Sequence, residues 1–215
     1  MKLLIYIFLI FAPLLDAMEK ITIMHGDEER SYLLFTPSVK KDSYKLIIGL
    51  HGFSGSASGF EKETTGGFNL YAEEKGLIIA YPQGNYFYPS SEMTKEDGSK
   101  IIKKTYSSSW NHLGPLTTNN PEIKICEDTS QSAPPFPSCK NKDNCYWTSC
   151  INDSEFIKTI ALKISEEFVI DDTYIMGLSN GGMMAQLVGC EYPDIFNGVI
   201  NLSLIHISEP TRRSA

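Results

Sequence analysis

The sequence predicts an α/β domain with a mainly parallel sheet and helices on both of its faces. Three mostly apolar runs have the length of strands: 45–50, 77–81 and 173–178. Continuous apolar runs of this kind are typical of strands that are buried on both faces. Helical patterns separate them, and strands that alternate with helices indicate parallel pairing between two helical layers.

The chain begins with a predicted hairpin. Apolar and polar residues alternate over 21–24 and 30–35, and His25-Gly26-Asp27 lies between them as the turn. The run Lys45-Leu-Ile-Ile-Gly-Leu50 follows as the first buried strand. Because this run has no polar alternation, we expect it in the middle of the sheet.

A helix and a second buried strand come next. The helix covers 68–75 and stops at Gly76, and the strand is Leu77-Ile-Ile-Ala-Tyr81. A long stretch, 82–152, then has no clear period and is predicted to be irregular. It is rich in aromatic residues and cysteines, and its charged part, 95–104, is expected to be solvated.

The second half of the sheet is predicted after this stretch. Asp153 is expected to cap a helix that has one apolar face, formed by Phe156, Ile157, Ile160, Ala161, Ile164 and Phe168. A strand over 173–178, a helix over 182–192 and a further strand over 198–201 complete the pattern.

Both ends of the chain are set apart from the domain. Residues 1–17 combine a basic start at Lys2, a short apolar core and a small residue, Ala17, which indicates a secretory signal peptide cleaved after Ala17. A membrane anchor is disfavoured because the apolar run is short and Pro13 interrupts it. We therefore expect an exported, extracellular protein with no stable membrane association after cleavage.

The C-terminal segment 202–215 is predicted to be foreign to the fold. Its first part, LSLIHISEPTR over 202–212, resembles the translation of a common transposase-type sequencing adapter. The domain is accordingly expected over 18–201, with natural residues differing after about Asn201. The alternative is a genuine last strand with a polar tail.

Composition limits the partners. The net charge is −7, which suits a soluble protein and argues against nucleic acid or anionic membranes as partners. The length of the segment 18–201 fits one domain or slightly less. We expect no cofactor and no metal.

The motif Gly177-Leu-Ser179-Asn180-Gly181 carries the chemistry. It is a G-x-S-x-G sequence between a predicted strand and a predicted helix, which is the context of a nucleophile elbow. In such a turn the serine hydroxyl is exposed above the sheet, and the two glycines prevent collisions because they have no Cβ. Ser179 is therefore the predicted catalytic nucleophile.

The motifs, in their order, resemble a family of secreted esterases. LHGFSGSASGF, YPQGN, SSWN, the run from Asn152-Asp153 to Phe156, and GLSNGGMMA are similar to the polyhydroxybutyrate depolymerase, feruloyl esterase and acetylxylan esterase-like group. The resemblance covers about 46–199. It implies the α/β-hydrolase fold, an ester substrate that is polymer-linked, and a place for Trp110 near the acyl or polymer-binding pocket.

Ester hydrolysis needs donors for the oxyanion that forms when Ser179 attacks. The predicted donors are the backbone N–H groups of Asn180 and Phe53, the latter in the loop after the 45–50 strand, where Gly52 permits close approach. By resemblance, His51 is interpreted as a structural residue that stabilises this loop. The alternative, that His51 is the catalytic base, is rejected because the base of this fold follows the serine in the chain.

The triad acid and base are expected to be missing from the chain. In this fold they follow the serine in the order Asp or Glu and then His, about 30 residues per strand–helix unit. Asp194 lies too close to Ser179, His206 belongs to the adapter-like segment, and His25 and His112 precede the serine. We expect a truncated sequence, incomplete after the strand over 198–201, and little esterase activity from the 215 residues as they stand.

One alternative stays open, namely a hydrolase-fold binding protein without catalysis. Such a protein would lack triad residues by nature, but it would not need the elbow. Sequencing the source transcript past Asn201 separates the two, because the esterase requires an acid and then a histidine downstream.

The cysteines are interpreted as disulfide candidates, as expected for an exported chain: Cys126, Cys139, Cys145, Cys150 and Cys190. A bridge between Cys126 and Cys139 and another from Cys145 or Cys150 to Cys190 are favoured. Their spacing matches no standard zinc site. Asn152-Asp-Ser154 is a glycosylation sequon if the source is eukaryotic.

Overall fold

The central sheet has six strands. The computed structural model describes residues 18–63, 67–88, 90–104, 106–112 and 151–202. Its strands are β1 (Glu19–His25), β2 (Glu28–Phe35), β3 (Tyr44–Leu50), β4 (Leu77–Pro82), β5 (Asn85–Phe87), β6 (Ser90–Thr94), β7 (Lys100–Lys104), β8 (Ser107–Ser109), β9 (Ile170–Leu178) and β10 (Gly198–Leu202). Its helices are α1 (Ala57–Lys62), α2 (Phe68–Lys75), α3 (Asp153–Glu167) and α4 (Asn180–Glu191).

The sheet is mainly parallel, as predicted. Its strand order is β1-β2-β4-β3-β9-β10. The β4–β3, β3–β9 and β9–β10 pairs are parallel, whereas β1–β2 and β2–β4 are antiparallel. Because β4, β3 and β9 run in the same direction, the loops after them meet at one edge of the sheet, where sites of open α/β folds lie.

Helices cover both faces of the sheet. On β4, Ile78 and Ala80 pack in a core with α3 and α4, whereas Ile79 and Tyr81 pack in a second core with α1 and α2. This division follows from the two-residue period of a strand, which sends successive side chains to opposite faces. It explains why the strand reads as a continuous apolar run, and it confirms the predicted fold class.

The helix boundaries follow local chemistry. Helix α2 ends at Gly76, which has a φ of 66° and so adopts the left-handed conformation that glycine tolerates. Helix α3 is capped by Asn152, whose side chain accepts a hydrogen bond from the N–H of Glu155. The prediction of Asp153 as the cap was wrong by one residue, because the carboxylate of Asp153 turns inward to a buried partner.

The stretch after β4 is more regular than predicted. Strand β5 pairs with β8, and β6 pairs with β7, all antiparallel. Gly98, with a φ of 83°, lies at the β6–β7 turn. An Asp-Gly pair is a strong hairpin signal, and Asp97-Gly98 could have revealed this turn. The residues on both sides of this turn are exposed and many are charged, so they lack the apolar pattern from which the other strands were predicted.

Several predictions fall outside the described residues. These are the signal peptide over 1–17, the segment 203–215, and the cysteines at 126, 139, 145 and 150. Strand β10 ends at Leu202, one residue beyond the expected limit of the domain. Within the described ranges, no helix combines the length and the apolar character needed to cross a bilayer.

Candidate active site

Ser179 lies at the turn between β9 and α4, and it is exposed to solvent. Its φ of 52° and ψ of −118° place it in a region that residues with a side chain rarely adopt. Backbone strain of this kind costs about 1–3 kcal/mol and persists where the surrounding structure holds it. The turn therefore has the strained geometry expected of a nucleophile elbow.

The two motif glycines allow this turn to be so tight. A Cβ on Gly177 would collide with the carbonyl of Gly181 and lie 2.6 Å from the N of Gly182. A Cβ on Gly181 would collide with the carbonyl oxygen of His51 and lie 2.5 Å from that of Leu50. Both obstacles are backbone, which cannot rotate away. The positions predicted as motif support are thus the points where α4 contacts β9 and β3.

The loop after β3 lies directly beside the serine. A Cβ on Gly52 would be 3.6 Å from the Cβ of Ser179. Ser54 has a φ of 59°, and its N–H donates to the carbonyl of Ser108 at 2.8 Å. Phe53 lies between these two residues, so the structure brings the segment of one predicted oxyanion donor next to Ser179, the predicted nucleophile.

Asn180 is the first residue of α4 and is fully buried. Its side-chain oxygen accepts hydrogen bonds from the N–H of Trp110 at 3.0 Å and from the hydroxyl of Ser109 at 3.3 Å. These contacts join the SSW segment to the start of α4. Asn180 therefore fixes the elbow with its side chain, while its backbone, directly after Ser179, is the second predicted oxyanion donor.

His51 is fully buried and uses both ring nitrogens. Nδ1 lies 2.8 Å from the carbonyl of Gly52, and Nε2 lies 3.0 Å from the backbone N–H of Gly84, which donates to it. A ring that donates from Nδ1 and accepts at Nε2 is neutral. Burial lowers the pKa of His51 to about 4. These contacts hold the two loops together, in line with the interpretation of His51 as a supporting residue.

Trp110 differs from its predicted place near a substrate pocket. Its side chain is fully buried, its Nε1–H donates to the carbonyl of His51 at 2.8 Å, and the two rings are 4.9 Å apart. A ring without exposed surface has none to offer a substrate. Trp110 instead supports the loop that contains Gly52.

A buried ion pair near this loop was not foreseen from the sequence. Arg30 Nη2 lies 2.7 Å from Asp153 Oδ1, and both side chains are almost completely buried. Asp153 Oδ2 accepts a hydrogen bond from the N–H of Asn111 at 2.7 Å. The pair thus connects β2, the SSWN segment and α3. An arginine within an otherwise apolar strand pattern is the signal that could have indicated a buried counter-charge.

No general base is found next to the serine in the part of the chain that the structure describes. Both ring nitrogens of His51 are hydrogen-bonded to the backbone of Gly52 and Gly84. His25 Nε2 lies 3.0 Å from the carbonyl oxygen of Asn152. His112 is buried, and this burial lowers its pKa. No described histidine hydrogen-bonds Ser179, and His206 lies outside the described residues. Within the same ranges, no group of three His, Cys, Asp or Glu residues could hold a metal ion.

Two further predicted sites are on the surface. Cys190 carries an exposed free thiol, whose sulfur accepts a hydrogen bond from the Gln186 amide at 3.4 Å. Cys190 is thus unbridged here, and its favoured partners, Cys145 and Cys150, lie outside the described residues. Asn152, the sequon residue, is exposed, and its oxygen caps α3.

Comparisons with known proteins identify the fold. No protein-family profile matches the chain. No curated protein sequence matches it either. Solved structures do match: an acetyl xylan esterase from Aspergillus awamori has a TM-score of 0.53 at 13% identity over 85% of this chain and 50% of its own.

Two other solved structures are similar to the same extent. A thermostable esterase has a TM-score of 0.50 at 19% identity, over 85% of this chain and 40% of its own. An S-formylglutathione hydrolase from Agrobacterium tumefaciens has a TM-score of 0.50 at 14% identity, over 85% and 56%. The chain thus spans about half the length of these proteins. At such identities the likeness identifies the α/β-hydrolase fold.

Proposed function

We propose that this protein is a secreted serine hydrolase of carboxylic esters. The observation that carries the proposal is the strained, exposed Ser179 at the end of β9, against the loop that contains Gly52. Because strained backbone conformations cluster at functional sites, the conformation of Ser179 supports a functional role for this residue. The names of the similar solved structures, which include esterases, support the same reaction class.

The proposed reaction is acyl transfer through the serine. The Oγ of Ser179 attacks the ester carbonyl carbon while its proton passes to a general base, and the carbonyl electrons move to oxygen. The backbone N–H groups of Phe53 and Asn180 would stabilise that oxyanion. The alcohol leaves with a proton, and water then releases the acid from the acyl-enzyme.

The acid and base of the triad would come from outside the described residues. Without an imidazole beside it, a serine is a weak nucleophile at neutral pH. We therefore propose that the 215 residues by themselves hydrolyse esters only slowly. The substrates are proposed to be ester groups on extracellular polymers, such as feruloylated or acetylated polysaccharide or polyhydroxyalkanoate.

The test is an assay of p-nitrophenyl acetate hydrolysis by the protein expressed from its source transcript. The proposal expects turnover that falls by at least about a thousandfold in Ser179→Ala. A matched control is Ser165→Ala, an exchange at a serine on α3 whose hydroxyl bonds the carbonyl of Ala161 within the helix. Equal rates for the wild type and Ser179→Ala would refute the proposal.

The second candidate is a binding protein with the same fold but no catalysis. It is favoured by the fact that no described histidine hydrogen-bonds Ser179. The strained backbone at Ser179 argues against it, because binding alone does not require a serine in this conformation. A source transcript that encodes no acid and histidine after Ser179 would favour this candidate.

Export is proposed from residues 1–17. The test is N-terminal sequencing of protein secreted by a eukaryotic or bacterial host. The expected first residue is Met18, directly after the predicted cleavage site. Retention of the protein inside the cells with residues 1–17 attached would contradict this part of the proposal.

A further inference from the structure

The side chain of Gln83 contacts both ends of the loop that separates β3 from α1. This loop, residues 51–56, contains the predicted oxyanion donor Phe53 and lies beside Ser179. We call it the donor loop. The proposed reaction gives Gln83 no role, yet its amide is hydrogen-bonded through both its oxygen and its nitrogen.

The amide oxygen of Gln83 holds the C-terminal end of the donor loop. It accepts a hydrogen bond from the N–H of Ala57, the first residue of α1, at 3.0 Å. A backbone N–H group can only donate, so this bond determines which end of the amide is the oxygen. The nitrogen of Gln83 is therefore the end that lies next to His51.

This amide nitrogen lies at the N-terminal end of the donor loop. It is 3.2 Å from Nε2 of His51 and 3.1 Å from the carbonyl oxygen of Gly84. It also donates to the hydroxyl oxygen of Tyr106 at 2.7 Å. Nε2 of His51 accepts the backbone N–H of Gly84, so the proton of the neutral ring is on Nδ1. A second donor beside Nε2, from Gln83, favours this same tautomer.

The proton on Nδ1 fixes the peptide unit from which the predicted oxyanion donor comes. Nδ1 of His51 donates to the carbonyl oxygen of Gly52 at 2.8 Å, and the N–H of Gly55 donates to the same oxygen at 3.0 Å. The carbonyl of Gly52 and the N–H of Phe53 belong to one trans peptide unit, in which the two groups point in opposite directions. The bonds that hold the carbonyl therefore also set the direction of the Phe53 N–H.

Strand β8 holds the middle of the donor loop. The N–H of Ser54 donates to the carbonyl of Ser108 at 2.8 Å. The hydroxyl of Ser108 donates to the carbonyl of Gly55 at 2.6 Å. These bonds fix the loop at its centre, whereas Gln83 joins its two ends.

We propose that Gln83 is a positioning residue for ester hydrolysis: it joins both ends of the donor loop and so holds the Phe53 N–H where the oxyanion forms beside Ser179. The catalytic part of this inference rests on the proposed function. Displacement of such a group by about 1 Å can cost roughly a hundredfold in rate. Because the oxyanion exists only during the reaction, the loss should lower kcat and leave KM nearly unchanged.

The first test measures p-nitrophenyl acetate hydrolysis by the protein expressed from its source transcript. Gln83→Met keeps a side chain of similar size but removes the amide. We expect kcat to fall by at least about tenfold and KM to stay within about twofold of the wild type. The matched control is Gln186→Met, because Gln186 is exposed on α4 and bonds Cys190 and Asn201. Its kcat should stay within about twofold of the wild type.

A second variant separates the two ends of the amide. Gln83→Glu keeps an oxygen for the N–H of Ala57 but offers no N–H to His51, because an ionised carboxylate only accepts hydrogen bonds. The N-terminal end of the donor loop therefore loses its connection in this variant as well. We expect kcat to fall by at least about tenfold, again with KM within about twofold.

The second test needs no catalysis. Hydrogen exchange of the 215-residue protein, followed by mass spectrometry, measures how readily residues 51–57 open. Exchange of this segment should be at least about tenfold faster in Gln83→Met than in the wild type, and unchanged in Gln186→Met. Exchange over 170–178 should be the same in all three proteins, because β9 lies on the far side of β3 from β4 and Gln83.

The two tests distinguish failure of this inference from failure of the proposed function. An unchanged kcat in Gln83→Met, a rise in KM alone, an equal fall in Gln186→Met or unchanged exchange of 51–57 would overturn the inference. If Gln83→Met does not fold, the same criteria apply to Gln83→Glu, and failure of both variants to fold would overturn it too. If the exchange changes as expected but the wild type hydrolyses no ester, the proposed function fails, and the connection of the donor loop through Gln83 is supported.

Discussion

Gly181 packs against His51 with no space for a side chain, since a Cβ on Gly181 would collide with the His51 carbonyl oxygen. This contact seats the start of α4 on the end of β3. The carbonyl of Leu50, 2.5 Å from the same Cβ position, closes the other side. The turn that contains Ser179 and the neighbouring loop therefore share one backbone-to-backbone interface. Four predictions on stability concern this interface and the side chains that support it.

Gly181→Ala should lower the free energy of unfolding by on the order of 3 kcal/mol, because backbone must move to admit the methyl group. Gly198→Ala at the start of β10 is the control, since its Cβ would meet no backbone and would lie 3.1 Å from the nearest atom of the Tyr174 ring. Urea unfolding of both variants measures the difference. Similar losses would show that the close approach at Gly181 does not determine the packing of α4.

Ser179→Gly should be more stable than Ser179→Ala by about 1 kcal/mol. Glycine adopts the φ of 52° at this position without the steric cost that a Cβ incurs. Both variants lose the hydroxyl, so the comparison isolates the backbone strain from hydrogen bonding. Thermal unfolding that ranks the alanine variant as equal or higher would argue against a strained elbow.

Stability should depend on pH through His51. Burial lowers the pKa of His51 to about 4, whereas the unfolded chain has the ordinary value of about 6.5. Above about pH 6.5 neither state binds the proton, and the full stability is present. As the pH falls towards 4, the unfolded chain binds a proton that the folded one does not, so the free energy of unfolding decreases.

The expected loss at His51 is roughly 2–3 kcal/mol between about pH 7.5 and about pH 4.5. His51→Gln keeps a polar side chain but does not titrate, so its loss over the same range should be smaller by that amount. Urea unfolding at both pH values measures it. Equal pH dependence in the two proteins would show that His51 is not held neutral.

The buried pair of Arg30 and Asp153 should be strongly coupled. Asp153→Ala leaves the guanidinium buried without its counter-charge, which costs about 3–5 kcal/mol in such cases. Lys158→Ala removes the more exposed pair with Glu155 and should cost at most about 1 kcal/mol. A double-mutant cycle with Arg30→Ala measures the coupling, and additive losses would contradict it.

The fold could be predicted largely from the sequence because its strands are unusually apolar. Runs such as Leu77–Tyr81 pack on both faces, and that environment leaves a clear pattern. Helix α2 was predicted with its bounds and its terminal Gly76. The β6–β7 hairpin was missed because residues 92–103, its part with described burial, are exposed, so burial imposes no period on them.

The site was predictable where it depends on backbone sterics. Gly177, Ser179 and Gly181 were identified because the elbow turn admits few residues at those positions. The contacts of Trp110 and Asp153 were not, since they join segments far apart in the sequence. A motif gives the residue types at a site, but it does not say whether an indole faces the core or a substrate.

The most direct measurement is mass spectrometry of the protein, expressed from its source transcript, after incubation with p-nitrophenyl acetate. The account predicts one acetyl group on the peptide that contains Ser179, and none in Ser179→Ala. Ester hydrolysis that continues unchanged in Ser179→Ala, with no acetyl group on that peptide in the wild type, would contradict it.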